Sequence, residues 1–128
     1  MKVLLDTHVF IWMLNDADRI SQNALGLLKD SENEVILSVA SLWEILIKES
    51  LGKIKFHEPV EVIFEKAIST IELRIIPIEA AHVFELRKLP LHHKDPFDRI
   101  LTAQAAYENA YIMTSDRLFD NYPVKTIW

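Results

Sequence analysis

Lys2-Val-Leu-Leu-Asp6 opens the chain with bulky apolar residues that stop at a carboxylate, and Thr7-His8 then turn into the helically spaced segment Val9 to Leu14. An apolar run without polar alternation belongs to a strand covered on both faces, the habit of a parallel sheet. Val35 to Leu37, Leu73 to Ile78 and Tyr111 to Met113 share that character. Val124 to Ile127 alternates less cleanly and reads as the last, edge strand. Between these runs, Ser21 to Lys29, Val39 to Leu51, Pro59 to Ile71, Ala80 to Leu89 and Pro96 to Asn109 read as helices. Strands that alternate with helices imply right-handed crossovers. They predict a three-layer α/β/α sandwich around a central, mainly parallel sheet of about five strands.

The composition agrees with one domain over residues 1–128. Half of the residues are hydrophobic and 26% are charged, which is globular rather than disordered usage. Cysteine is absent, so disulfides, thiolate metal sites and a cysteine nucleophile are excluded, in keeping with a reducing, cytoplasmic setting. Asp6 and His8 interrupt the apolar amino terminus before a signal-peptide core forms, and no membrane association is expected. A net charge of -5 argues against holding nucleic acid by bulk electrostatics. It does not exclude a nuclease, because cations bound at an acidic site reverse the local sign. The two glycines, Gly26 and Gly52, lie outside any phosphate-binding loop.

Acids recur where strands end and helices begin: Asp6, Glu44 in Ser41-Leu-Trp-Glu44, Asp98 in Asp95-Pro-Phe-Asp98, and Asp116 in Tyr111-Ile-Met-Thr-Ser-Asp116. In a parallel sheet such positions converge on one rim, where ligands bind. Each also has a plain structural role available. Asp6 and Asp116 suit helix caps. Ser41 and Glu44 match a capping box, and Glu44 with Lys48 an i, i+4 ion pair. Asp95 suits an N-cap before Pro96 at the first helical position, which ranks it below Asp98 as a ligand. Carboxylates gathered together repel one another without a cation, and hard oxygen donors suit Mg²⁺ or Mn²⁺ rather than a structural zinc.

The blocks Lys2-Val-Leu-Leu-Asp-Thr-His-Val-Phe-Ile-Trp12, Ser41-Leu-Trp-Glu-Ile45, Asp95-Pro-Phe-Asp-Arg-Ile-Leu-Thr-Ala-Gln-Ala105 and Thr114-Ser-Asp116 together resemble a PIN domain. The nearest likeness is to the small ribonuclease toxins of the VapC type from bacterial toxin–antitoxin pairs. The resemblance runs the length of the chain in the family's order, and it is most specific in the first and third blocks. It implies that Asp6, Glu44, Asp98 and Asp116 hold Mg²⁺ or Mn²⁺ and are the catalytic acids. The implied reaction is hydrolysis of an RNA phosphodiester by metal-activated water. It further implies a homodimer restrained by a small antitoxin protein.

Other residues carry lesser expectations. Thr7, Thr114 and Ser115 offer hydroxyls for water or phosphate, or for turn bonds. Arg99 and Arg117 neighbour candidate ligands and offer a clamp for the RNA backbone, with a plain surface charge as the alternative. His92 and His93 read as a solvated basic loop, and His8, His57 and His82 as packing or surface residues. Trp12, Trp43 and Trp128 read as core or dimer contacts rather than base-stacking platforms. Two rivals stand beside the nuclease. A haloacid-dehalogenase-like phosphatase would want a second acid two residues after Asp6, where this chain has His8. A noncatalytic interaction domain would keep the acids only to hold its loops.

Overall fold

The computed structural model describes residues 1–128. The strands are β1 (Lys2–Leu5), β2 (Glu34–Ser38), β3 (Arg74–Ile76), β4 (Tyr111–Met113) and β5 (Thr126–Ile127). The helices are α1 (Thr7–Asn15), α2 (Gln22–Lys29), α3 (Val39–Ser50), α4 (Val60–Ile71), α5 (Ala80–Glu85) and α6 (Pro96–Glu108). All pairings are parallel, in the order β3-β2-β1-β4-β5. This is the expected three-layer sandwich around a parallel five-stranded sheet. No helix is long and apolar enough to cross a membrane.

The side-chain alternation of the strands divides the core. Val3, Leu5, Val35 and Leu37 face α1, α2 and α4 through Val9, Phe10, Ala24, Leu28, Phe64 and Ile68. Leu4, Ile36 and Ile112 face the other way, onto Leu101 and Ala105 of α6. Fully burying one such Leu or Phe side chain contributes about 1.5–3 kcal/mol, so the strands are fixed by both layers at once.

Several boundaries differ from the sequence reading, each for a local reason. β3 stops at Ile76 because Pro77 has no N–H for the ladder, and the Pro77 carbonyl instead accepts from Gln104 Nε2 at 3.0 Å. Ala80 to Leu89 is not one helix: α5 ends at Glu85 and a 3₁₀ turn, Leu86–Lys88, follows. Asn109 caps α6 in the left-handed conformation, with φ 52°. The capping box assigned to Ser41 and Glu44 does not form. Ser38 is the N-cap of α3, its Oγ accepting from the Ala40 N–H at 3.0 Å, which sets Ser41 and Glu44 inside the helix and buries both.

The strand order turns back at β1. The chain moves outward from β1 to β2 to β3, then returns through α5 and α6 to place β4 on the opposite flank. Such a reversal opens a crevice beyond the carboxyl ends of the two diverging strands. Asp6 follows β1 and Thr114 follows β4, so both stand at that opening.

Candidate metal centre

Asp6 extends the β1 ladder by one bond, its N–H donating to Met113 O at 3.1 Å, before the chain turns into α1. Although Asp6 holds the N-cap position, its carboxylate makes no capping bond. Oδ2 accepts from Thr114 Oγ1 at 2.8 Å, and Oδ1 is buried without a partner. Thr7 Oγ1 donates to Ser41 Oγ at 2.8 Å and ties the start of α1 to α3. Ser41 and Ala40 are small and buried on α3, and Glu44 on the same helix is buried near enough for its charge to act on Asp6.

Glu44 is almost completely buried. Its Oε2 lies 3.0 Å from Lys48 Nζ, the expected i, i+4 pair, while Oε1 has no partner. Lys48 Nζ also reaches His8 Nε2 at 3.3 Å. An ammonium only donates, so His8 Nε2 accepts and its Nδ1–H points toward Asp6 Oδ1, 4.0 Å away.

Asp98 enters from the first turn of α6, with Asp95 as N-cap accepting from the Phe97 N–H at 2.8 Å and Pro96 at the first helical position. Burial pushes the Asp98 carboxyl up to about 7, and the negative charges of Asp6, Asp95 and Glu44 add to that, opposed by His93. Asp6 is also raised, by burial first and by Glu44 to a lesser degree, against the Thr114 hydrogen bond and His8. The charges of Asp6 and Glu44 thus act on Asp98, but the three side chains whose ligand atoms lie within 4.8 Å of one another are His93, Asp98 and Asp116, a set that contains neither Asp6 nor Glu44.

Asp116 behaves differently. It caps the 3₁₀ turn Arg117–Asn121, with Oδ1 accepting from the Leu118 N–H at 2.9 Å, so its capping role is real. Oδ2 lies 2.9 Å from His93 Nε2. Burial raises its pKa, but the hydrogen bonds from the His93 ring and the Leu118 N–H outweigh burial and hold it below the usual carboxylate range. It is joined to the others through Thr114, whose Oγ1 accepts from the Asp116 N–H at 3.0 Å while donating to Asp6. His93 Nε2 is also 4.0 Å from Asp98 Oδ2.

His93 corrects the sequence reading. It is no solvated loop residue but 5% exposed, stacked on the Tyr122 ring and tilted against Phe119. Only His92 of the pair is exposed. Arg99 is committed to the fold, donating to the carbonyls of Pro90 and Leu86, and is not free to clamp a ligand. Arg117 is a surface charge paired with Asp120. Ser115 is exposed. Trp12 packs edge-on against Trp128, in keeping with a core contact, whereas Trp43 is 60% exposed on Phe97, which leaves it the dimer-contact half of the expectation.

The donor set fits a hard divalent cation. Two buried carboxylate oxygens, Asp6 Oδ1 and Glu44 Oε1, lack any partner, and a third acid, Asp98, is pushed toward neutrality by burial first and by neighbouring charges second. A Mg²⁺ or Mn²⁺ ion among these acids would give an orphaned oxygen a partner and offset the negative charge.

The family model described as PIN domain matches residues 3–125. No curated protein matches the sequence. Among solved structures, VapBC2 from Rickettsia felis bound to a DNA fragment from their promoter is similar at TM-score 0.75 and 21% identity, covering 99% of this chain and 98% of that one. DNA-bound VapBC from Salmonella typhimurium is similar at TM-score 0.70 and 16% identity, covering 99% and 97%. A toxin–antitoxin complex from Klebsiella pneumoniae is similar at TM-score 0.64 and 18% identity, covering 98% and 96%. At these identities the likeness is one of fold.

Proposed function

The chain belongs to the PIN-domain family, and from that premise we propose that residues 1–128 act as one domain, a Mg²⁺- or Mn²⁺-dependent endoribonuclease serving as the toxin of a toxin–antitoxin pair. The observation that carries the reading is the pair of buried, unpartnered carboxylate oxygens of Asp6 and Glu44 beside the strongly raised Asp98. An arrangement that costs stability in the empty chain is expected where function needs it. In this reading Asp6, Glu44 and Asp98 are the principal metal ligands and catalytic acids, with Asp116 at the rim.

When bound, the cation supplies Lewis-acid stabilisation of the scissile phosphate and a water of lowered pKa. The chain's own residues prepare that chemistry. Thr114 holds Asp6 Oδ2, leaving Oδ1 unpartnered, and Lys48 holds Glu44 Oε2, leaving Oε1 unpartnered. Asp98 would hold the cation as a carboxylate, the positive charge offsetting the burial and the neighbouring acids that raise its pKa. The Lys48 ammonium, hydrogen-bonded to the His8 ring, supplies positive charge at an otherwise acidic mouth, where a phosphate backbone must approach.

The partners proposed are RNA as substrate, a second copy of the chain, and an antitoxin in the cytoplasm. The structural likeness to a toxin–antitoxin complex supports the antitoxin. A net charge of -5 suits a basic segment laid over the acidic crevice. The phosphatase alternative gains nothing, since His8, where it needs an acid, is paired with Lys48.

The test is cleavage of structured and unstructured RNA with Mg²⁺, Mn²⁺ or EDTA, comparing the wild type with Asp6→Asn and Asp98→Asn. Cleavage that needs the cation and drops at least about 100-fold in each variant is expected. Unchanged cleavage in a folded double variant overturns the assignment. Hydrolysis of small phosphate esters without RNA cleavage points to a phosphatase, and no hydrolysis with retained metal binding to an interaction domain.

A further inference from the structure

His93 is a buried imidazole that the proposed chemistry leaves unused, and its hydrogen bonds determine which nitrogen carries the proton. Tyr122 Oη accepts the backbone N–H of His93 at 2.8 Å and that of His92 at 3.2 Å. A phenol oxygen has two acceptor positions and one hydrogen. Both acceptor positions are taken, so the hydroxyl hydrogen goes to the remaining contact, His93 Nδ1 at 3.2 Å. Nδ1 therefore accepts, the proton sits on Nε2, and Nε2–H donates to Asp116 Oδ2 at 2.9 Å.

One ligand atom from each of His93, Asp98 and Asp116 lies within 4.8 Å of the other two, a spacing that a mixed nitrogen–oxygen metal site would also have. The tautomer opposes that use. Freeing Nε2 for a metal would turn an N–H at Nδ1 toward a Tyr122 oxygen with no lone pair left.

Resting on the proposed assignment of Asp116 to the acidic site, we infer that His93, oriented by Tyr122, is a positioning residue that fixes the Asp116 carboxylate. The ring is clamped as such a role requires, stacked on Tyr122 with 9° between planes and set 4.5 Å from the Phe119 centroid. The Leu118 N–H holds the other carboxylate oxygen, so Asp116 is restrained at both. Thr114 links this arrangement to Asp6 at the end of the adjacent strand β1. The pattern is that of the outer partners which orient metal-site ligands elsewhere, where their loss lowers metal affinity about 10–100-fold.

The experiment compares full-length wild type, His93→Phe, His93→Gln and Tyr122→Phe. A long-range proton–nitrogen correlation spectrum of the metal-free wild type should show His93 protonated at Nε2. Mn²⁺ binding, followed by the paramagnetic resonance of the free ion, should weaken about 10-fold or more in His93→Phe, which keeps the packing but has no N–H. His93→Gln, which still presents an N–H, should recover most of that loss. Tyr122→Phe should allow both tautomers and weaken Mn²⁺ to an intermediate degree, and it decides the matter if His93→Phe fails to fold. The Nδ1–H tautomer in the wild type overturns the inference, as does Mn²⁺ affinity that is equal in wild type, His93→Phe and Tyr122→Phe. RNA cleavage is measured alongside. Its absence in every protein, with these Mn²⁺ differences intact, sinks the ribonuclease reading and leaves the positioning role standing.

Discussion

Thr114 Oγ1 donates to Asp6 Oδ2 at 2.8 Å across 108 positions of the chain, and the same oxygen accepts the Asp116 N–H at 3.0 Å. One hydroxyl thus aligns the carboxyl ends of β1 and β4 and leaves Asp6 a single free oxygen. Thr114→Val keeps the shape and removes both bonds, stranding a buried carboxylate oxygen. The expected cost is about 1–3 kcal/mol in urea unfolding of the metal-free protein. Thr114→Ser should restore most of it. Equal stability for the Val and Ser variants would mean the hydroxyl is not what holds Asp6.

Asp98 should weaken the fold that contains it. Its carboxyl is largely buried, and the charges of Asp6, Asp95 and Glu44 act on it. At alkaline pH without a cation, its ionisation therefore opposes folding. Asp98→Asn removes the charge at nearly constant volume. The variant should melt higher than wild type in EDTA, by roughly 1–2 kcal/mol after allowance for the part of the carboxyl that solvent reaches. It should also lose its response to Mn²⁺. A lower melting temperature for Asp98→Asn in EDTA would contradict the repulsion inferred here.

The strands were legible because burial on both faces leaves no alternation to misread, and the order of apolar runs in Val3 to Leu5, Val35 to Leu37 and Tyr111 to Met113 is the order of strands in the chain. The helix starts were less so. Ser38-Val-Ala-Ser41 offers two serines three apart, and choosing Ser38 as the cap moves Glu44 from the helix rim to its buried face. Local propensity does not separate them; the contact of Thr7 with Ser41 does, and it is tertiary. His93 could not be read at all. Its neighbours Leu91-His-His-Lys-Asp95 look solvated, and its burial comes from Phe119 and Tyr122, beyond β4. No local pattern announces that encounter.

Stability of the metal-free protein should fall as pH rises. Asp98 titrates at about 7 in the folded chain against an ordinary value of 3.8, so between those values the native state keeps a proton that the unfolded chain has released. Its stabilising contribution is whole below 3.8 and lost as pH passes about 7. Asp6, also raised, acts in the same direction. Asp116 and Glu108 are lowered, so what they contribute disappears only on acidification below the ordinary carboxylate range, outside this window. In EDTA the melting temperature should be several degrees higher near pH 5 than near pH 8, and millimolar Mg²⁺ or Mn²⁺ should narrow or reverse the difference. Calorimetry at the two pH values decides it, and a rise from acid to alkaline in EDTA would be the wrong sign.

Lys48 is the cation that the acidic group keeps when no metal is bound. Its ammonium sits 3.0 Å from Glu44 Oε2, with the Glu44 side chain 6% exposed and that of Lys48 23%. Lys48→Met preserves the aliphatic stem and removes the charge, leaving Glu44 buried with neither oxygen paired. Breaking a fully buried pair costs about 3–5 kcal/mol, and since Lys48 is partly solvated a loss of about 2 kcal/mol is expected. Glu44→Gln in the same background should return much of it, because the stranded charge is then gone; that coupling distinguishes an ion pair from lost packing. Mn²⁺ should stabilise Lys48→Met more than wild type, since the ion then supplies the only positive charge beside Glu44. If the two substitutions instead add independently in unfolding, and Mn²⁺ stabilises both proteins alike, Lys48 is a surface lysine with no part in balancing the site.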